Sequence, residues 1–383
     1  MRWAPSPLDY PVKIVVATDS FKGSLDAPAA CAAIRDGLLR ARPDLEVVCC
    51  PMADGGEGTA AALQSALGGR WIRRRVTGPL PDLAVEAAFV HLPAEQIAIV
   101  EMASAAGLPR ITPEQRNPER TTTYGVGDLL RDAAALSPRR ILLTLGGSAT
   151  VDGGIGMASA LGWRFLDARG EPVVHGGAGL RRIERIDGSA AQRMPEVEAL
   201  CDVRHPLVGP EGAARVFGPQ KGADPGMVER LEAGLERLAS LIERDLGLRV
   251  RDLPGGGAAG GLGAAAVAFL GARLTPGVDA VLRATRLEDT LRGADWAITG
   301  EGRLDATSLR GKVVSGVARA ASRAGAPVAV FAGSVALPPA EWRAGGIADA
   351  IPLTGNGVSI EEAVRDAAAH LRRAAESWAR RSL

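Results

Sequence analysis

The alternation of strands and helices begins in residues 12–50, which read VKIVVATDSFKGSLDAPAACAAIRDGLLRARPDLEVVCC. Residues 12–17 form a short β-branched run, which is typical of a strand buried on both faces of a sheet. Residues 27–41 carry apolar side chains at helical spacing, and residues 45–50 form a second strand-like run. Two strands joined through a helix lie parallel. The segment therefore predicts a βαβ unit and an α/β fold built on a parallel sheet.

The rest of the chain predicts two regions with different element patterns. Closely spaced strand-like runs fill residues 70–102, and the strand–helix alternation returns after the glycine-dense residues 255–263. The simplest arrangement is one doubly wound domain made of residues 1–75 and 255–383. Residues 76–254 would then form a second α/β domain that is inserted into the first.

Composition limits the classes of partner. The 45 Lys and Arg residues balance 44 Asp and Glu residues and leave a net charge of +1. A nucleic-acid or membrane-surface partner usually requires a basic excess, so neither is expected.

No apolar run approaches the roughly 18 residues of a spanning helix, and residues 1–7 lack the apolar core of a signal peptide. The four cysteines match neither metal-site nor disulfide spacing. We therefore expect a cytoplasmic protein with reduced cysteines.

Lysine is scarce in this chain. Only four of the 45 basic residues are lysines, and three of them, Lys22, Lys221 and Lys312, stand next to a glycine. Arginine does not replace lysine where a compact, flexible ammonium must reach one point. The three lysines therefore indicate tight turns of the kind that hold phosphate groups.

Four polar, glycine-rich segments follow predicted strands: residues 19–24, 53–59, 146–154 and 299–305. Ligands of open parallel sheets bind at the carboxyl ends of the strands. Glycine lets backbone N–H groups approach an anion closely, and a following helix N-terminus favours negative charge. One such segment is most often only a turn, but four in one chain predict an anionic ligand.

Carboxylates lie inside the same segments. Asp19, Asp54, Glu57 and Glu301 occupy them, and Asp202 ends a predicted strand. Phosphoryl transfer needs oxygen ligands for Mg²⁺ and often an acid that accepts the substrate's hydroxyl proton. Asp beside Gly is also common turn chemistry, which stays the alternative for each aspartate taken singly.

Familiar nucleotide motifs are absent. Gly311-Lys312 is followed by Val313, which excludes a Walker P-loop. Gly125-Val126-Gly127 lacks the third glycine of a dinucleotide fingerprint. The four histidines are scattered without metal spacing, so neither a nicotinamide enzyme nor a histidine metal site is indicated.

The segments together resemble one known family. They read DSFKGS at 19–24, MADGGEGT at 52–59, TTTYG at 121–125, GGSAT at 146–150 with DGG at 152–154, VFGPQKG at 216–222, AGGLG at 259–263 and TGEGR at 299–303. In this order they resemble the bacterial type I glycerate kinases, and the resemblance runs from about residue 12 to the C-terminus.

The resemblance implies an ATP- and Mg²⁺-dependent transferase that phosphorylates D-glycerate, generally at the 2-hydroxyl to give 2-phosphoglycerate. It also implies a Rossmann-like and a flavodoxin-like α/β domain with the active site in the cleft between them, and it leaves a homodimer open. The chain departs from the family pattern after Asp202, where Arg204-His205 precede Pro206, and after Asp305, where Ala306-Thr307-Ser308 follow. These departures concern the substrate more than the reaction.

Roles for the side chains follow as hypotheses. Lys22 and Lys221 would neutralise phosphate oxygens, Asp202 is the first candidate for the base and Asp19 the second, and Arg303 would bind the substrate carboxylate. The magnesium ligands would be Asp54, Glu57 and Glu301. The nucleotide-binding candidates are Ser20, Gly55, Gly56, Gly146, Gly147, Ser148, Gly260, Gly261, Gly263 and Lys312.

Two other functions stay open on the sequence. One is a kinase of another small hydroxy acid. The other is a non-catalytic protein that binds an anionic metabolite, although such a protein would gain nothing from carboxylates beside its ligand.

Overall fold

The computed structural model describes residues 11–354 and 359–383, so residues 1–10 of the predicted first domain lie outside the described residues. The chain divides into two compact units. Unit 1 comprises Met1–Asp54, Ala61–Gly68 and Val278–Leu383, and unit 2 comprises Gly55–Ala60 and Gly69–Gly277.

Strands and helices alternate along most of the described chain. The strands are β1 (Lys13–Val16), β2 (Glu46–Cys49), β3 (Arg70–Thr77), β4 (Ala84–Leu92), β5 (Ile97–Glu101), β6 (Arg140–Thr144), β7 (Arg164–Leu166), β8 (Arg185–Asp187), β9 (Glu196–Leu200), β10 (Arg273–Thr275), β11 (Trp296–Leu304), β12 (Val328–Val335) and β13 (Asp349–Pro352). The α-helices are α1 (Ala27–Ala41), α2 (Thr59–Leu67), α3 (Met102–Ala106), α4 (Tyr124–Ala134), α5 (Ile155–Ala160), α6 (Ala213–Phe217), α7 (Pro225–Leu246), α8 (Ala258–Leu270), α9 (Gly277–Ala284), α10 (Leu287–Thr290), α11 (Val313–Ala324), α12 (Pro339–Ala344), α13 (Ile360–Arg365) and α14 (Ala367–Ser382).

Unit 1 is built on a five-stranded sheet in the order β13-β12-β11-β1-β2. All four strand pairs are parallel. Ile14, Val15 and Val16 of β1 are fully buried, as expected for an inner strand whose two faces are both covered. The predicted βαβ unit is therefore present as β1-α1-β2.

Helices α1 and α14 pack closely in unit 1. A Cβ on Gly37 of α1 would lie 2.2 Å from the carbonyl oxygen of Arg372, so only glycine allows this approach. Asp26 caps α1 by accepting a hydrogen bond from the Ala29 backbone N at 2.8 Å. Trp378 of α14 is fully buried, and its Nε1 donates to Asp349 Oδ2 at 3.0 Å. The C-terminal helix is thus part of the unit 1 core.

Unit 2 is built on a six-stranded mixed sheet in the order β10-β9-β6-β5-β4-β3. Strands β10, β9, β6 and β5 run parallel, and β4 and β3 continue the sheet antiparallel. Strands β7 and β8 form a separate antiparallel pair. The closely spaced strands predicted over residues 70–102 are therefore the antiparallel edge and the first parallel strand of this sheet.

Helix α7 covers part of the unit 2 core with one face. The Asp224 side chain caps its first turn and Pro225 follows, whereas Gly247 ends it in the left-handed conformation. Leu231, Leu235 and Leu238 lie buried on its inner face. No helix within residues 11–354 and 359–383 is both long enough and apolar enough to cross a membrane.

The α/β fold class is confirmed, and the later boundary between the units differs from the predicted one. Unit 2 extends to Gly277 instead of ending near 255. The reason is that β10 pairs with β9 and that α8 lies in the unit 2 core. The predicted location of the active site in a cleft stays a prediction.

One predicted loop is a strand. The sequence predicts that residues 299–305 follow a strand as a loop, but β11 continues to Leu304. Glu301 pairs with Ala332 and Arg303 pairs with Ser334 of β12. The polar residues of this segment thus project from a paired strand, which fixes their directions more tightly than a loop would.

Candidate active site

Three carboxylates lie near the carboxyl ends of neighbouring strands in unit 1. Asp19 follows β1, Asp54 follows β2, and Glu301 lies in the second half of β11. These three strands are adjacent in the sheet. The Asp19 backbone N donates to the Gly300 carbonyl at 3.0 Å, and its Oδ1 accepts from the Ser20 backbone N at 2.6 Å. The predicted carboxylates of residues 19–24 and 299–305 are therefore brought together.

The environment of Asp19 favours its protonated form. Burial, followed by the charge of Asp54, raises the pKa of Asp19 to about 7, with a smaller contribution from Glu301. The Ser20 hydrogen bond and the Lys22 charge oppose this rise in pKa. Asp19 can therefore gain and lose a proton near neutral pH, as a general base requires.

Glu301 is a buried carboxylate with an unsatisfied oxygen. Its side chain is 8% exposed, and its Oε1 has no hydrogen-bond partner among the described residues. Burial raises the pKa of Glu301, whereas a hydrogen bond with Ser308 and the charges of Lys312 and Lys22 lower it. An unpaired buried oxygen of this kind is stabilised when a cation binds beside it.

The donor set of unit 1 fits a hard cation. Asp54 and Glu301 offer only carboxylate oxygens, and both raise the pKa of Asp19 through their charge. The described residues contain no group of three or more His, Cys, Asp or Glu side chains arranged to hold one ion. Mg²⁺ is commonly held by one or two carboxylates together with water and substrate phosphates, so a set of two carboxylates suffices.

Two of the scarce lysines belong to the same group of charges. Lys22 is exposed in the segment after β1, and a Cβ on Gly302 would lie 3.6 Å from its backbone N. Lys312 occupies the cap position before α11. Both lower the pKa of Glu301 through their charge. Unit 1 therefore combines carboxylates with mobile ammonium groups, as a phosphate–metal site needs.

Arg303 is exposed in unit 1, and its guanidinium Nε lies 3.9 Å from Asp305 Oδ2. The departure from the family pattern lies just beyond it. Ser308 is buried, donates from its Oγ to the Arg303 carbonyl at 3.3 Å, and hydrogen-bonds Glu301. Ser308, one of the residues that differ from the family pattern, thus contacts Glu301.

In unit 2, three chain segments meet at the carboxyl edge of the sheet. A Cβ on Gly55, whose φ is +89°, would lie 2.6 Å from the Gly277 Cα and 3.1 Å from the Leu200 Cβ. A Cβ on Gly146 would lie 3.2 Å from the Gly56 Cα. The predicted glycines at 55, 56 and 146 therefore allow these backbones to lie in contact.

Glu101 is a carboxylate at the end of a unit 2 strand that the sequence analysis did not single out. It ends β5, and its Oε1 accepts from the Ala60 backbone N at 2.9 Å. Burial raises its pKa, whereas hydrogen bonds from the Ala60, Gly58 and Thr59 backbones lower it, and Glu57 raises it. Glu101 thus holds the start of α2 in unit 2. Its place at the end of the apolar run 97–100, on a parallel strand, was the available signal.

Lys221 is buried in unit 2, with 2% of its surface exposed. Its Nζ donates to Ser148 Oγ at 2.6 Å and to the Thr150 carbonyl at 2.7 Å. Burial lowers the pKa of Lys221 to about 7, whereas the charge of Asp152 raises it. The ammonium is therefore committed to the loop after β6 and is not free at the surface.

Asp152 has a structural explanation in unit 2. It is fully buried, and its carboxylate accepts from the backbone N and Oγ1 of Thr123, both at 2.8 Å. It also accepts from the backbone N of Gly154 at 3.0 Å and of Gly156 at 3.3 Å. Its oxygens are used inside the protein, at the start of α5, so it is not part of a ligand-binding set.

Gly260, Gly261 and Gly263 are packed against backbone in unit 2. A Cβ on Gly260 would lie 2.0 Å from the Thr150 carbonyl oxygen, one on Gly261 2.8 Å from the Gly153 Cα, and one on Gly263 2.3 Å from the Gly255 oxygen. All three are buried. This packing explains the glycines without a ligand, and their predicted nucleotide contacts stay predictions.

Asp202 lies at the surface of unit 2. Its side chain is exposed, and its Oδ1 accepts from the Gly277 backbone N at 2.9 Å. His205, one of the residues that differ from the family pattern, hydrogen-bonds the Glu211 carbonyl through Nδ1 at 3.0 Å. Its ring meets the Phe217 ring edge-on, with the ring centroids 5.1 Å apart. Asp202 and Asp19, the two candidates for the base, therefore belong to different units.

Known proteins resemble the chain over nearly its full length. A model of the Glycerate kinase family matches residues 14–383. A glycerate kinase from Halalkalibacterium halodurans is 44% identical, over 96% of this chain and 97% of the relative. A glycerate 2-kinase from Escherichia coli is 43% identical, over 85% and 86%.

Among solved structures, a putative glycerate kinase 2 from Salmonella typhimurium LT2 superimposes with a TM-score of 0.88 at 43% identity. The match covers 96% of this chain and 97% of that one.

Proposed function

The chain belongs to the glycerate kinase family, and from this premise we propose that it transfers the γ-phosphoryl group of ATP to the 2-hydroxyl of D-glycerate. The products are 2-phosphoglycerate and ADP. The observation that carries the proposal is the group of charges in unit 1, where Asp19 has a pKa of about 7 beside Asp54, Glu301 and Lys22. Carboxylates for a metal, an acid that titrates near neutrality and ammonium groups for phosphate are the parts that phosphoryl transfer requires.

Asp19 is the general base in this proposal, ahead of Asp202. It accepts the proton of the glycerate hydroxyl as that oxygen bonds to the γ-phosphorus, and the bond from phosphorus to the β,γ-bridging oxygen breaks. The raised pKa of Asp19 supports this role, because a base works best with a pKa near the working pH. Asp202 is exposed and already accepts a backbone hydrogen bond.

Asp54 and Glu301 would hold Mg²⁺, and Glu57 of unit 2 stays a predicted ligand. The bound ion would withdraw charge from the phosphate oxygens during transfer. Lys22 and Lys312 neutralise further phosphate charge, and their effect on the pKa of Glu301 supports this placement. The exposed Arg303 binds the substrate carboxylate.

The loop at Gly146, Gly147 and Ser148 binds phosphate oxygens through its N–H groups. Of these residues, Gly147 is exposed and Ser148 is 9% exposed. The homodimer stays a prediction.

The test is incubation of the purified full chain with ATP, MgCl₂ and D-glycerate, followed by identification of the product by ³¹P and ¹H NMR. We expect 2-phosphoglycerate and an equal amount of ADP. A 3-phosphoglycerate product would contradict the assigned position, and tight binding of glycerate without ADP formation would indicate a metabolite-binding protein.

A panel of small hydroxy acids addresses the second candidate function. The observation that favours including it is the contact of Ser308, one of the residues that depart from the family pattern, with Glu301. A kcat/KM higher for another hydroxy acid than for D-glycerate would change the substrate while keeping the reaction.

A further inference from the structure

We propose that Lys221 is a positioning residue that directs the Ser148 O–H outward, where it donates to a phosphate oxygen of ATP. The inference rests on the proposed function, since it assigns a task to a residue of the same phosphate loop. It replaces the direct contact with phosphate that the sequence suggested for Lys221.

The first step concerns the direction of one hydrogen bond. Lys221 Nζ lies 2.6 Å from Ser148 Oγ. The ammonium form of Lys221 has three N–H donors and no acceptor, so in this form the serine oxygen accepts at this contact. A hydroxyl has one donor and two acceptor lone pairs. With one lone pair bonded to Lys221, the Ser148 O–H turns away from the lysine.

The second step concerns how Lys221 is held. Its Nζ also donates to the Thr150 carbonyl at 2.7 Å. Burial lowers the pKa of Lys221 to about 7, and the charge of Asp152 opposes this fall. With only 2% of its surface exposed, the side chain cannot reach a surface ligand without leaving these partners. Lys221 therefore acts on a ligand through Ser148.

The third step concerns where the hydroxyl points. Ser148 follows Gly146 and the exposed Gly147 in the loop after β6, at the carboxyl edge of the unit 2 sheet. Among the described residues, the Ser148 hydroxyl has Lys221 as its hydrogen-bond partner. A donor that is 9% exposed and has no acceptor among the residues that the structure describes gains most from an anionic ligand.

The chemistry also explains why lysine occurs here in a chain that otherwise uses arginine. The ammonium sits at the end of a narrow, buried side chain and donates to two acceptors, Ser148 Oγ and the Thr150 carbonyl, which are two residues apart in sequence. A planar guanidinium is wider and carries its donors in a fixed fork, which does not match this pair of acceptors.

The test is a double-mutant cycle on the full chain with Ser148→Ala, Lys221→Met and the double variant. Calorimetry gives the Kd of ATP with Mg²⁺ and, separately, the Kd of D-glycerate, and steady-state kinetics gives kcat and KM. We expect each single variant to weaken ATP binding about tenfold, as for the loss of one hydrogen bond to a charged group. The double variant should lie within about twofold of Ser148→Ala, because the lysine has no further effect without the hydroxyl.

Multiplying effects in the double variant would overturn the inference and restore a direct contact of Lys221 with phosphate. A change confined to D-glycerate binding would overturn the phosphate assignment. A fall in kcat with unchanged ATP affinity would also contradict it. The controls are Lys13→Met, which removes an exposed contact with the Arg292 carbonyl, and Ser240→Ala, which removes an exposed helix hydroxyl.

Two further outcomes keep the inference separable from the proposed function. If Lys221→Met does not fold, Ser148→Ala alone decides, and an unchanged ATP Kd overturns the inference. If the wild-type chain makes no 2-phosphoglycerate, the proposed function fails, but the ATP Kd values of the four proteins still test the inference.

Discussion

Asp19 is the carboxylate of unit 1 whose pKa is raised to about 7. Burial and the charge of Asp54 raise its pKa to about 7, whereas an exposed aspartate is ionised throughout the neutral range. The unfolded chain holds Asp19 at the ordinary pKa, so the folded protein stabilises the protonated form. That stability contribution is fully present below pH 3.8 and is lost as the pH rises through about 7. The group that we propose as the base therefore also destabilises the fold at alkaline pH.

Asp19→Asn should separate these two effects. We expect kcat to fall about 10²–10⁴-fold, because the base is lost, and the melting temperature to rise, because a neutral amide removes the repulsion from Asp54 and Glu301. The rise in melting temperature should be larger at pH 8 than at pH 6, since the wild-type carboxylate is more fully ionised at pH 8. Calorimetric melting curves at both pH values and kcat/KM from pH 5.5 to 8.5 measure both effects.

Asp36→Asn is the control for this prediction, because Asp36 is an exposed aspartate of unit 1 that pairs with Arg35. Its variant should change neither rate nor melting temperature by much. A wild-type kcat/KM that does not rise between pH 6 and pH 8, or an active Asp19→Asn variant, would return Asp202 to the role of base.

At this scale the sequence predicted which carboxylates lie near one another in unit 1, but not their protonation behaviour. Asp19, Asp54 and Glu301 follow strands in the sequence, and the strand order of unit 1 brings them together. The raised pKa of Asp19 could not be predicted from sequence, because burial and the charges of nonlocal neighbours decide a pKa. Glu101 was missed because its partners, residues 58–60, are distant in sequence.

At the scale of elements, the start of α8 is the clearest case in which backbone packing explains a motif. Ala259, Gly260 and Gly261 have left-handed φ values inside the helix. The Gly153 backbone N donates to the Gly260 carbonyl at 3.0 Å. The glycine-dense segment therefore lets a helix meet the loop that carries Thr150 without intervening side chains.

Gly260→Ala and Gly271→Ala form a matched pair that isolates this contact. Their φ values are +68° and +65°, but a Cβ on Gly260 meets the Thr150 oxygen at 2.0 Å, whereas one on Gly271 has open space. We expect Gly271→Ala to lower the free energy of unfolding by about 1 kcal/mol, the conformational term alone. Gly260→Ala should lower it by about 3 kcal/mol or more, because overpacking adds to that term. Urea unfolding followed by circular dichroism measures both values.

Equal losses in the two variants would show that the close contact with Thr150 has no energetic consequence. A loss of ATP binding in Gly260→Ala with unchanged unfolding would instead support the predicted nucleotide contact of this segment.

Elements with a regular local pattern were predictable, and those decided by pairing were not. The elements β1, α1 and β2 agree with their predicted positions to within about one residue because their apolar spacing is local. The continuation of β11 to Leu304 depends on β12, with which it pairs through Val335. Glycines inside a strand and a helix looked like loops, because in sequence a glycine that permits close packing cannot be distinguished from one that permits a turn.

For the whole molecule, the sequence predicted an α/β chain whose two ends share one domain, and each observed unit has its own core. Ile14, Phe331 and Trp378 belong to the core of unit 1, whereas Phe89, Leu235 and Leu262 belong to that of unit 2. The later boundary was misplaced because residues 255–277 contribute one helix and one short strand to unit 2. Their glycine content resembles a linker, and only the pairing of β10 with β9 assigns them.

Separate cores predict separate responses to core mutations. Leu371 of α14 and Leu235 of α7 are both fully buried leucines on helices, one in each unit. Truncation of either to alanine leaves a cavity and should cost about 2–5 kcal/mol. Proteins open in contiguous cooperative segments, and an amide exchanges through the least costly opening that exposes it. Leu371→Ala should therefore speed hydrogen exchange mainly in β1, β11 and β12, and Leu235→Ala mainly in β5, β6 and β9.

Mass spectrometry of peptides from both sheets, at a pH and temperature where the wild type is stable, measures the ratio of these accelerations. The two variants control for each other, since the residue type, the burial and the helical setting are matched and only the unit differs. If each variant accelerates both sheets alike, the chain unfolds as one cooperative body despite its two cores. If the accelerations are confined to the mutated unit, the two units open independently although the chain passes between them more than once. A ligand bound by one unit should then protect only that unit's amides from exchange.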